Sequence, residues 1–193
     1  MTKQKYFIFA FYNFVQLEDL DTLKRSIMKL CIEKNIRGTI LVAKEGINGT
    51  IAGYKEKIDP VAKELTKLFK LKKPNFKWSK SNYQPFRRLK VRLKNEIVTM
   101  GISMVDPNNE VGDYVEPDEW NSILSDPNVV VIDVRNSYEV EIGSFPNAIN
   151  PSIRKFGEFP DWLERNKKEL EDKHIAMFCT GGIRCEKSTS YLK

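Results

Sequence analysis

Two short apolar runs in the second half of the chain constrain its fold most strongly. The first lies in NVVVIDVR, residues 128–135, and the second is HIAMF, residues 174–178. A continuous apolar run of this kind is typical of a strand that is buried on both faces. The segment FPDWLERNKKELED between them has the pattern of a helix. Strands that alternate with helices form a parallel sheet, so we expect a parallel α/β domain whose functional loops follow the carboxyl ends of the strands.

The first half of the chain predicts a different order of elements. It contains five strand patterns: KYFIFAFYNFV, IRGTILVA, TIAG, NFKWSKS and FRRLKVRLKNEIVTM. Two helix patterns interrupt them: LEDLDTLKRSIMKLCIEKN and KEKIDPVAKELTKLFKLK. We expect a turn in KEGINGT, residues 44–50, with Asn48-Gly49 as its hairpin signal. We also expect a core position for Cys31 and one apolar helix face formed by Val61, Leu65 and Leu68. The order β-α-β-β-α-β with an extra strand predicts a ferredoxin-like α+β domain.

Charge divides the chain in the same way. Residues 1–100 hold 22 of the 32 Lys and Arg residues but 9 of the 26 Asp and Glu residues, a net charge of +13, whereas residues 101–193 carry −7. Between the two halves, residues 102–116 are rich in Asp, Asn, Pro and Gly. We therefore expect a basic ferredoxin-like domain over 1–101, a linker over 102–116 and a second α/β domain over 117–193.

The last strand pattern of the basic half places several cations on one face. The cations at alternate positions are Arg88, Lys90, Arg92 and Lys94, with Leu89, Val91 and Leu93 between them and Arg87 just before. Four like charges in a row repel one another unless an anion lies across them. Aromatic residues lie close by in the sequence, namely Phe76, Trp78, Tyr83 and Phe86. The pattern favours a surface that follows nucleic-acid phosphates. The alternative is that these cations only solvate the surface.

The strand HIAMF leads into the segment CTGGIRC, residues 179–185, ahead of a predicted helix. Gly181 and Gly182 allow positive φ, so that the backbone N–H groups of Thr180, Ile183 and their neighbours can turn toward an anion at the helix N-terminus. The helix dipole and Arg184 would drive a thiol in this cradle toward the thiolate. We therefore expect Cys179 to be an acidic nucleophile. For Cys185, three roles remain open: a resolving thiol, a second sulfur carrier or a core residue.

Cysteine and histidine usage narrows the classes of site. Three cysteines without disulfide-framework spacing indicate a reducing compartment, so we expect a cytoplasmic protein. Five residues separate Cys179 from Cys185, which is the wrong spacing for a Cys-x-x-Cys zinc or redox motif. The single histidine, His174, does not complete a metal site or a Ser-His-Asp triad. We expect no metal, no tightly bound organic cofactor and no membrane-spanning segment.

The second half resembles a rhodanese domain. The segment VVVIDVRNSYEVEIGSFPNAIN is similar to the rhodanese signature, and CTGGIR is similar to the six-residue rhodanese active loop. The matching signature positions are Asp133, Arg135, Glu139, Gly143, Ala148 and Ile149. The resemblance implies that Cys179 can carry sulfur as a persulfide. The sequence departs from the rhodanese pattern at GSF, residues 143–145, where many rhodaneses have Gly-His-Ile.

Over its whole length the chain resembles the bacterial rhodanese-related tRNA uridine hydroxylases. The residues that carry this resemblance are AKEGINGTIAG, KVRLKNEIVTMG and CTGGIRCEKS. A rhodanese domain ordinarily continues with another strand and helix after the segment CEKSTSYLK, so we expect the second domain to be incomplete at its C-terminus. The resemblance implies oxygen-dependent 5-hydroxylation of the wobble uridine of tRNA, with molecular oxygen as co-substrate.

The resemblance also implies roles for particular residues. Cys179 would be the catalytic residue and Arg184 its anion stabiliser, with the anion cradle formed by Thr180, Gly181, Gly182, Ile183 and Cys185. The anticodon region of tRNA would bind to Arg87, Arg88, Lys90, Arg92 and Lys94. A sulfur or electron donor protein would be a further partner. Two alternatives remain: a sulfurtransferase that carries sulfane sulfur on Cys179, and a non-catalytic RNA-binding module.

Overall fold

The computed structural model describes residues 5–72 and 75–193. The chain forms two compact units, of which the first ends at Ile97 and the second spans Val98–Lys193. The domain and linker boundaries that the sequence predicts stay a prediction: 1–101, 102–116 and 117–193. The second unit begins earlier than the predicted linker, and Ile102 and Val105 pack against its core.

The first unit is a five-stranded sheet with two helices. Its elements are β1 (Tyr6–Phe14), α1 (Leu20–Glu33), β2 (Arg37–Ala43), β3 (Gly46–Tyr54), α2 (Lys55–Leu68), β4 (Phe76–Ser81) and β5 (Leu89–Leu93). The strand order is β4-β1-β3-β2-β5. All neighbouring strands are antiparallel except β5, which runs parallel to β2. This topology confirms the predicted ferredoxin-like domain with an added strand.

The core of the first unit lies between one face of the sheet and the two helices. Ile27 and Cys31 of α1 are buried there, and so are Val61 and Leu65 of α2. Cys31 is therefore a core residue, as predicted. The prediction for Leu68 is wrong, because 45% of this side chain is exposed near the end of α2.

The hairpin between β2 and β3 turns at the start of the predicted segment 44–50. The turn is at Lys44-Glu45, whereas Asn48 and Gly49 lie inside β3, so the interpretation of Asn48-Gly49 as the hairpin signal is wrong. Packing explains the glycine at this place: a Cβ on Gly49 would lie 2.8 Å from Cζ of Phe11 on the neighbouring strand. Asn-Gly is a turn signal, but here the glycine makes room for a ring.

The second unit contains a short parallel sheet. Its elements are α3 (Trp120–Ser125), β6 (Val129–Asp133), α4 (Ser137–Val140), a 3-10 turn (Phe156–Glu158), α5 (Phe159–Leu170), β7 (His174–Phe178) and α6 (Ile183–Leu192). Strands β6 and β7 pair in parallel, from Val129 opposite His174 to Asp133 opposite Phe178. The predicted parallel α/β arrangement is confirmed. A core that includes Ile132, Phe159 and Leu163 packs around these strands.

Strand register positions the candidate site. Asp133 and Phe178 are paired at the carboxyl ends of β6 and β7. The segments that follow, beginning at Val134 and Cys179, therefore leave the sheet side by side, at the edge where α/β proteins place functional loops. In the part of the chain that the structure describes, no helix is long and apolar enough to cross a membrane.

Gly38 provides a test of the first unit's close strand packing. Its φ is +144°, and an added Cβ would lie 2.2 Å from the Thr50 carbonyl oxygen of β3. We expect Gly38→Ala to lower the free energy of unfolding by about 3 kcal/mol, because both the backbone conformation and the space exclude a methyl group. Urea unfolding followed by circular dichroism measures this loss. Arg37→Ala, an exposed change on the same strand, should change the free energy of unfolding by less than about 0.5 kcal/mol. Equal unfolding midpoints for the two variants would contradict the packing described.

Candidate active site

The loop after β7 curls from Cys179 into the first turn of α6. Gly182 is the N-cap of α6 and has a φ of +93°, a conformation that favours glycine. Gly181 does not have a positive φ, so the prediction of left-handed freedom is right for Gly182 and wrong for Gly181. A Cβ at Gly181 would meet nothing within 4 Å. Of the two glycines, only Gly182 has a backbone conformation that favours glycine.

The Cys179 sulfur accepts several hydrogen bonds in this loop. The Gly182 N–H lies 3.0 Å from Sγ. The pKa of the Cys179 thiol is lowered from 9.0 to about 5, chiefly because the Cys185 thiol donates a hydrogen bond to it. Burial opposes this shift, whereas the N–H groups of Cys185 and Gly181 and the charge of Arg184 reinforce it. Cys179 is therefore a thiolate at neutral pH, and thiolates are the nucleophilic form of cysteine.

Cys185 has the opposite character. It lies in the first turn of α6, and its pKa is raised well above 9.0 because it donates to Cys179 and is buried. It therefore stays protonated while Cys179 is charged. The hydrogen bond between the two thiols makes Cys185 part of the loop chemistry and not only of the core.

The Glu139 carboxylate accepts hydrogen bonds from both ends of the loop, Thr180 and Arg184. Arg184 donates from Nη1 to Oε2 at 2.6 Å and from Nη2 to Oε1 at 2.8 Å, and the Thr180 hydroxyl donates to Oε1 at 2.7 Å. These donors, with Arg184 contributing most, lower the pKa of Glu139 to about 2 against the opposing effect of burial. Both side chains of the Arg184–Glu139 pair are largely buried, at 13% and 16% exposed. Bidentate pairs of this kind fix geometry as well as charge.

A second network fixes the segment that follows β6. The Asp133 side chain is fully buried and accepts from Nε and Nη2 of Arg135 at 2.8 and 2.6 Å. The Ser144 hydroxyl donates to the same carboxylate at 2.8 Å, and Arg135 also donates to the Gly143 carbonyl. This network ties the residues after β6 to residues 143 and 144. It positions the segment that carries Glu139.

A cavity of about 1020 Å³ lies at the loop within the second unit. Cys179 and Cys185 both line it. Its aromatic wall includes Phe145 and Phe178, whose rings meet edge to face at 4.7 Å, and Trp120, which stacks on Phe145 at 5.5 Å. The candidate nucleophile is therefore adjacent to a cavity that can admit a small molecule or a base.

The structure places the predicted RNA-binding cations at an edge of the first unit. Arg92 is exposed on β5, Lys90 is half-buried beside it, and the flanking residues Arg87, Arg88 and Lys94 are exposed. Val91 is buried in the core, and Leu89 and Leu93 pack against it, so the predicted alternation is observed. Among the residues that the structure describes, none of these five cations forms an ion pair with a carboxylate.

The aromatic residues near this strand in the sequence are not all near it in the fold. Phe76 and Trp78 lie on β4, and β4 and β5 are the two opposite edges of the sheet. Trp78 packs on Phe9 at 4.6 Å. Tyr83 is 72% exposed in the connection between the two strands. The expectation that Phe76 and Trp78 accompany the basic strand is therefore wrong, because the connection from β4 to β5 crosses three intervening strands.

The remaining candidate residues have ordinary environments. Burial raises the pKa of Cys31 to about 12, which marks it as an inert core thiol. His174 is exposed at the start of β7. Ile183 is the first residue of α6 and is half-buried. Within residues 5–72 and 75–193, no group of three or more His, Cys, Asp or Glu side chains could hold a metal ion.

Sequence reasoning missed the role of Glu139. Its place in the signature was visible, but not its bidentate contact with Arg184, which lies 45 residues later. An isolated acidic residue after Asp-x-Arg was the available signal. The local pattern Asn-x-x-Glu at 136–139 predicts only that Glu139 helps to cap a short helix, which it also does.

A thiolate loop between a parallel strand and a helix, beside an Asp-x-Arg segment, defines a rhodanese-type site. Residues 116–193 match the rhodanese-like domain, and residues 6–97 match the UPF0176 acylphosphatase like domain. The chain thus combines a UPF0176 acylphosphatase like domain with a rhodanese-like domain.

Curated relatives align with the chain from end to end. Two of them, from Brucella anthropi and Brucella ovis, are each 46% identical to it over 193 residues and are named tRNA uridine(34) hydroxylase. The alignment covers 100% of this chain and 63% of each relative. The chain thus spans less than two thirds of the length of these relatives. Among solved structures, an acylphosphatase from Coxiella burnetii is similar over 48% of this chain and 100% of its own, at 16% identity and a TM-score of 0.35, which is too low to carry an argument.

The Glu139 carboxylate makes the stability of the second unit depend on pH. We expect Glu139→Gln to lower the free energy of unfolding by about 2–3 kcal/mol at neutral pH, because a charged acceptor for Arg184 is lost. The folded pKa of about 2 lies below the ordinary 4.5, so the wild-type advantage is present above pH 4.5 and is lost as the pH falls toward 2. Denaturant unfolding across this pH range measures the difference. Glu141→Gln, an exposed change in the same segment, is the control. A difference between Glu139→Gln and wild type that does not change with pH would contradict the assignment.

Proposed function

We propose that this chain belongs to an enzyme that hydroxylates C5 of the wobble uridine of tRNA, with molecular oxygen as co-substrate. The observation that carries the proposal is the Cys179 thiolate, held by loop N–H groups beside a cavity, in a chain that aligns from end to end with relatives named tRNA uridine(34) hydroxylase. The similarity supports the proposed reaction, and the geometry supports Cys179 as the residue that takes part in it.

Cys179 serves as the nucleophile. Addition of its thiolate to C6 of uracil would leave an enolate whose C5 is nucleophilic toward oxygen. After C5 has gained its hydroxyl group, loss of the C5 proton and departure of the Cys179 thiolate from C6 would restore the C5=C6 double bond. The uridine would have to leave its stack to reach the loop, as bases do in other enzymes that modify them. Phe145 and Phe178 offer aromatic faces in the cavity next to Cys179.

The overall reaction requires electrons as well as oxygen. One atom of O₂ enters at C5, and the other is reduced to water with two electrons and two protons. We assign the electrons to a donor protein, since the proposal includes no tightly bound organic cofactor. Arg184 and the loop N–H groups stabilise the anionic sulfur during the cycle.

The basic strand binds the anticodon arm in this proposal. Arg87, Arg88, Lys90, Arg92 and Lys94 present cations along β5 and its flanks. Arg92 and its exposed neighbours are available for contacts with RNA phosphates. Such contacts position the RNA but do not read its sequence. Sulfur transfer to a small acceptor would not need such a strand.

Nucleoside analysis tests the proposed reaction. The gene that encodes this chain is deleted, and wild type, Cys179→Ser or Cys31→Ala is supplied in its place. We expect 5-hydroxyuridine derivatives of tRNA to disappear in the deletion strain and to return with wild type and Cys31→Ala, but not with Cys179→Ser. Mass spectrometry of digested tRNA measures these nucleosides. An unchanged nucleoside profile in the deletion strain would contradict the proposed function.

Charge reversal tests the RNA surface separately. In one variant Arg88, Lys90 and Arg92 become glutamate. The control makes the same charge change at the exposed α2 residues Lys57, Lys63 and Lys67. We expect the strand variant to bind tRNA more weakly than the control and to show a smaller salt dependence, by roughly 0.7–0.9 in log–log slope for each phosphate that the strand no longer neutralises.

Filter binding across a salt series measures both quantities. If both variants lose the same affinity, β5 is not the RNA-binding surface and only the net charge matters.

A further inference from the structure

The active loop contains a second sulfur whose position suggests a chemical role. Cys179 directly follows β7, and Cys185 lies in the first turn of α6. The two thiols are hydrogen-bonded to each other and line the same cavity. Both are half-buried, so a small reagent that enters the cavity can reach them. The third cysteine, Cys31, is fully buried in the other unit and cannot exchange with this pair.

The loop gives the two sulfurs unequal reactivity. The Gly182 N–H points at Cys179 Sγ, so the negative charge rests on that sulfur and Cys185 keeps its proton. An electrophile that enters the cavity therefore reacts with Cys179 first. Cys185 is then the nearest thiol to the modified sulfur.

We propose that Cys185 is the resolving thiol of this loop: after a peroxide has oxidised Cys179, Cys185 attacks that sulfur and forms a Cys179–Cys185 disulfide. The inference rests on the proposed function only in that both require a reactive Cys179 thiolate. It assigns a role to Cys185 that the hydroxylation itself does not use.

The two steps balance in atoms and electrons. The Cys179 thiolate attacks one peroxide oxygen, the O–O bond breaks, and the products are a sulfenic acid and hydroxide. The Cys185 sulfur then attacks the Cys179 sulfur, the S–O bond breaks, and water leaves with the proton from Cys185. Cys179 and Cys185 together lose two electrons, which the peroxide accepts.

Oxidation of Cys179 removes two of the effects that keep Cys185 protonated. While Cys179 is a thiolate, its hydrogen bond and its charge raise the pKa of Cys185, together with burial and the Glu186 carboxylate. A sulfenic acid is neutral, so both effects of Cys179 end. The charge of Arg184 and the N-terminus of α6 then favour a Cys185 thiolate, and burial and Glu186 still oppose it. The disulfide would also protect Cys179, because a sulfenic acid left unresolved proceeds to sulfinic acid, which ordinary thiols do not reduce.

The sequence between the two cysteines allows a direct test. Trypsin cleaves after Lys173, Arg184 and Lys187, so Cys179 leaves in the peptide 174–184 and Cys185 in the peptide 185–187. Only a disulfide can hold these peptides together. The experiment treats the purified 193-residue chain with hydrogen peroxide, blocks free thiols, digests it without reductant and analyses it by mass spectrometry. We expect the linked pair in wild type and its loss after dithiothreitol.

Two variants separate the chemistry of Cys185 from its packing. Cys185→Ser keeps an O–H donor toward Cys179 but has no sulfur, so we expect no linked pair, a sulfenic acid that dimedone traps at Cys179, and sulfinic acid with further peroxide. Cys31→Ala should behave as wild type. Wild type that accumulates the dimedone adduct as fully as Cys185→Ser, with no linked pair, would overturn the proposal and leave the hydroxylase proposal intact. A Cys179 that peroxide does not oxidise in either protein would also overturn the proposal for Cys185, whereas the nucleoside analysis above decides the hydroxylase proposal.

Discussion

The bidentate contact between Glu139 and Arg184 is the interaction on which the candidate site depends. It joins the segment after β6 to the first turn of α6, and the Thr180 hydroxyl adds a third hydrogen bond to the same carboxylate. The loop between Thr180 and Arg184 is thereby fixed at both ends. With those ends held, the N–H groups inside the loop converge on the Cys179 sulfur without having to reorganise when charge develops there. The ion pair thus holds the loop in the conformation in which Cys185, the loop N–H groups and Arg184 lower the pKa of Cys179.

In the first unit, as far as the structure describes it, the candidate feature is a surface of cations. Its sheet order puts β5 at one edge, where the cations of Arg92 and its neighbours alternate with core residues such as Val91. An edge strand with like charges is protected against pairing with another strand, and it suits a polyanion. The opposite signs of net charge in the two halves are consistent with this division: the basic unit would hold the RNA, and the acidic unit carries the loop.

Local sequence predicted those features that depend on near neighbours. The βαββαβ order, the alternation along β5 and the Cys179 loop all follow from patterns within a few residues. Two of the errors have nonlocal causes: Gly49 makes room for Phe11 of another strand, and Trp78 is separated from β5 by the sheet order. Glu139 illustrates the same limit, because its partner Arg184 is defined only once β6 and β7 pair. The predicted pairing of the two buried strands was right, but the interactions formed beyond their ends were not foreseeable.

The proposed chemistry depends on a folded loop that holds Cys179 as a thiolate at neutral pH. The most direct measurement is the rate of Cys179 alkylation by iodoacetamide from acid to alkaline pH, followed on the tryptic peptide 174–184, which contains no other cysteine. We expect a rate that is half its maximum near pH 5. In the unfolded chain the midpoint should return to the ordinary value near 9. A midpoint near 9 in the folded protein would show that the loop does not stabilise the Cys179 thiolate.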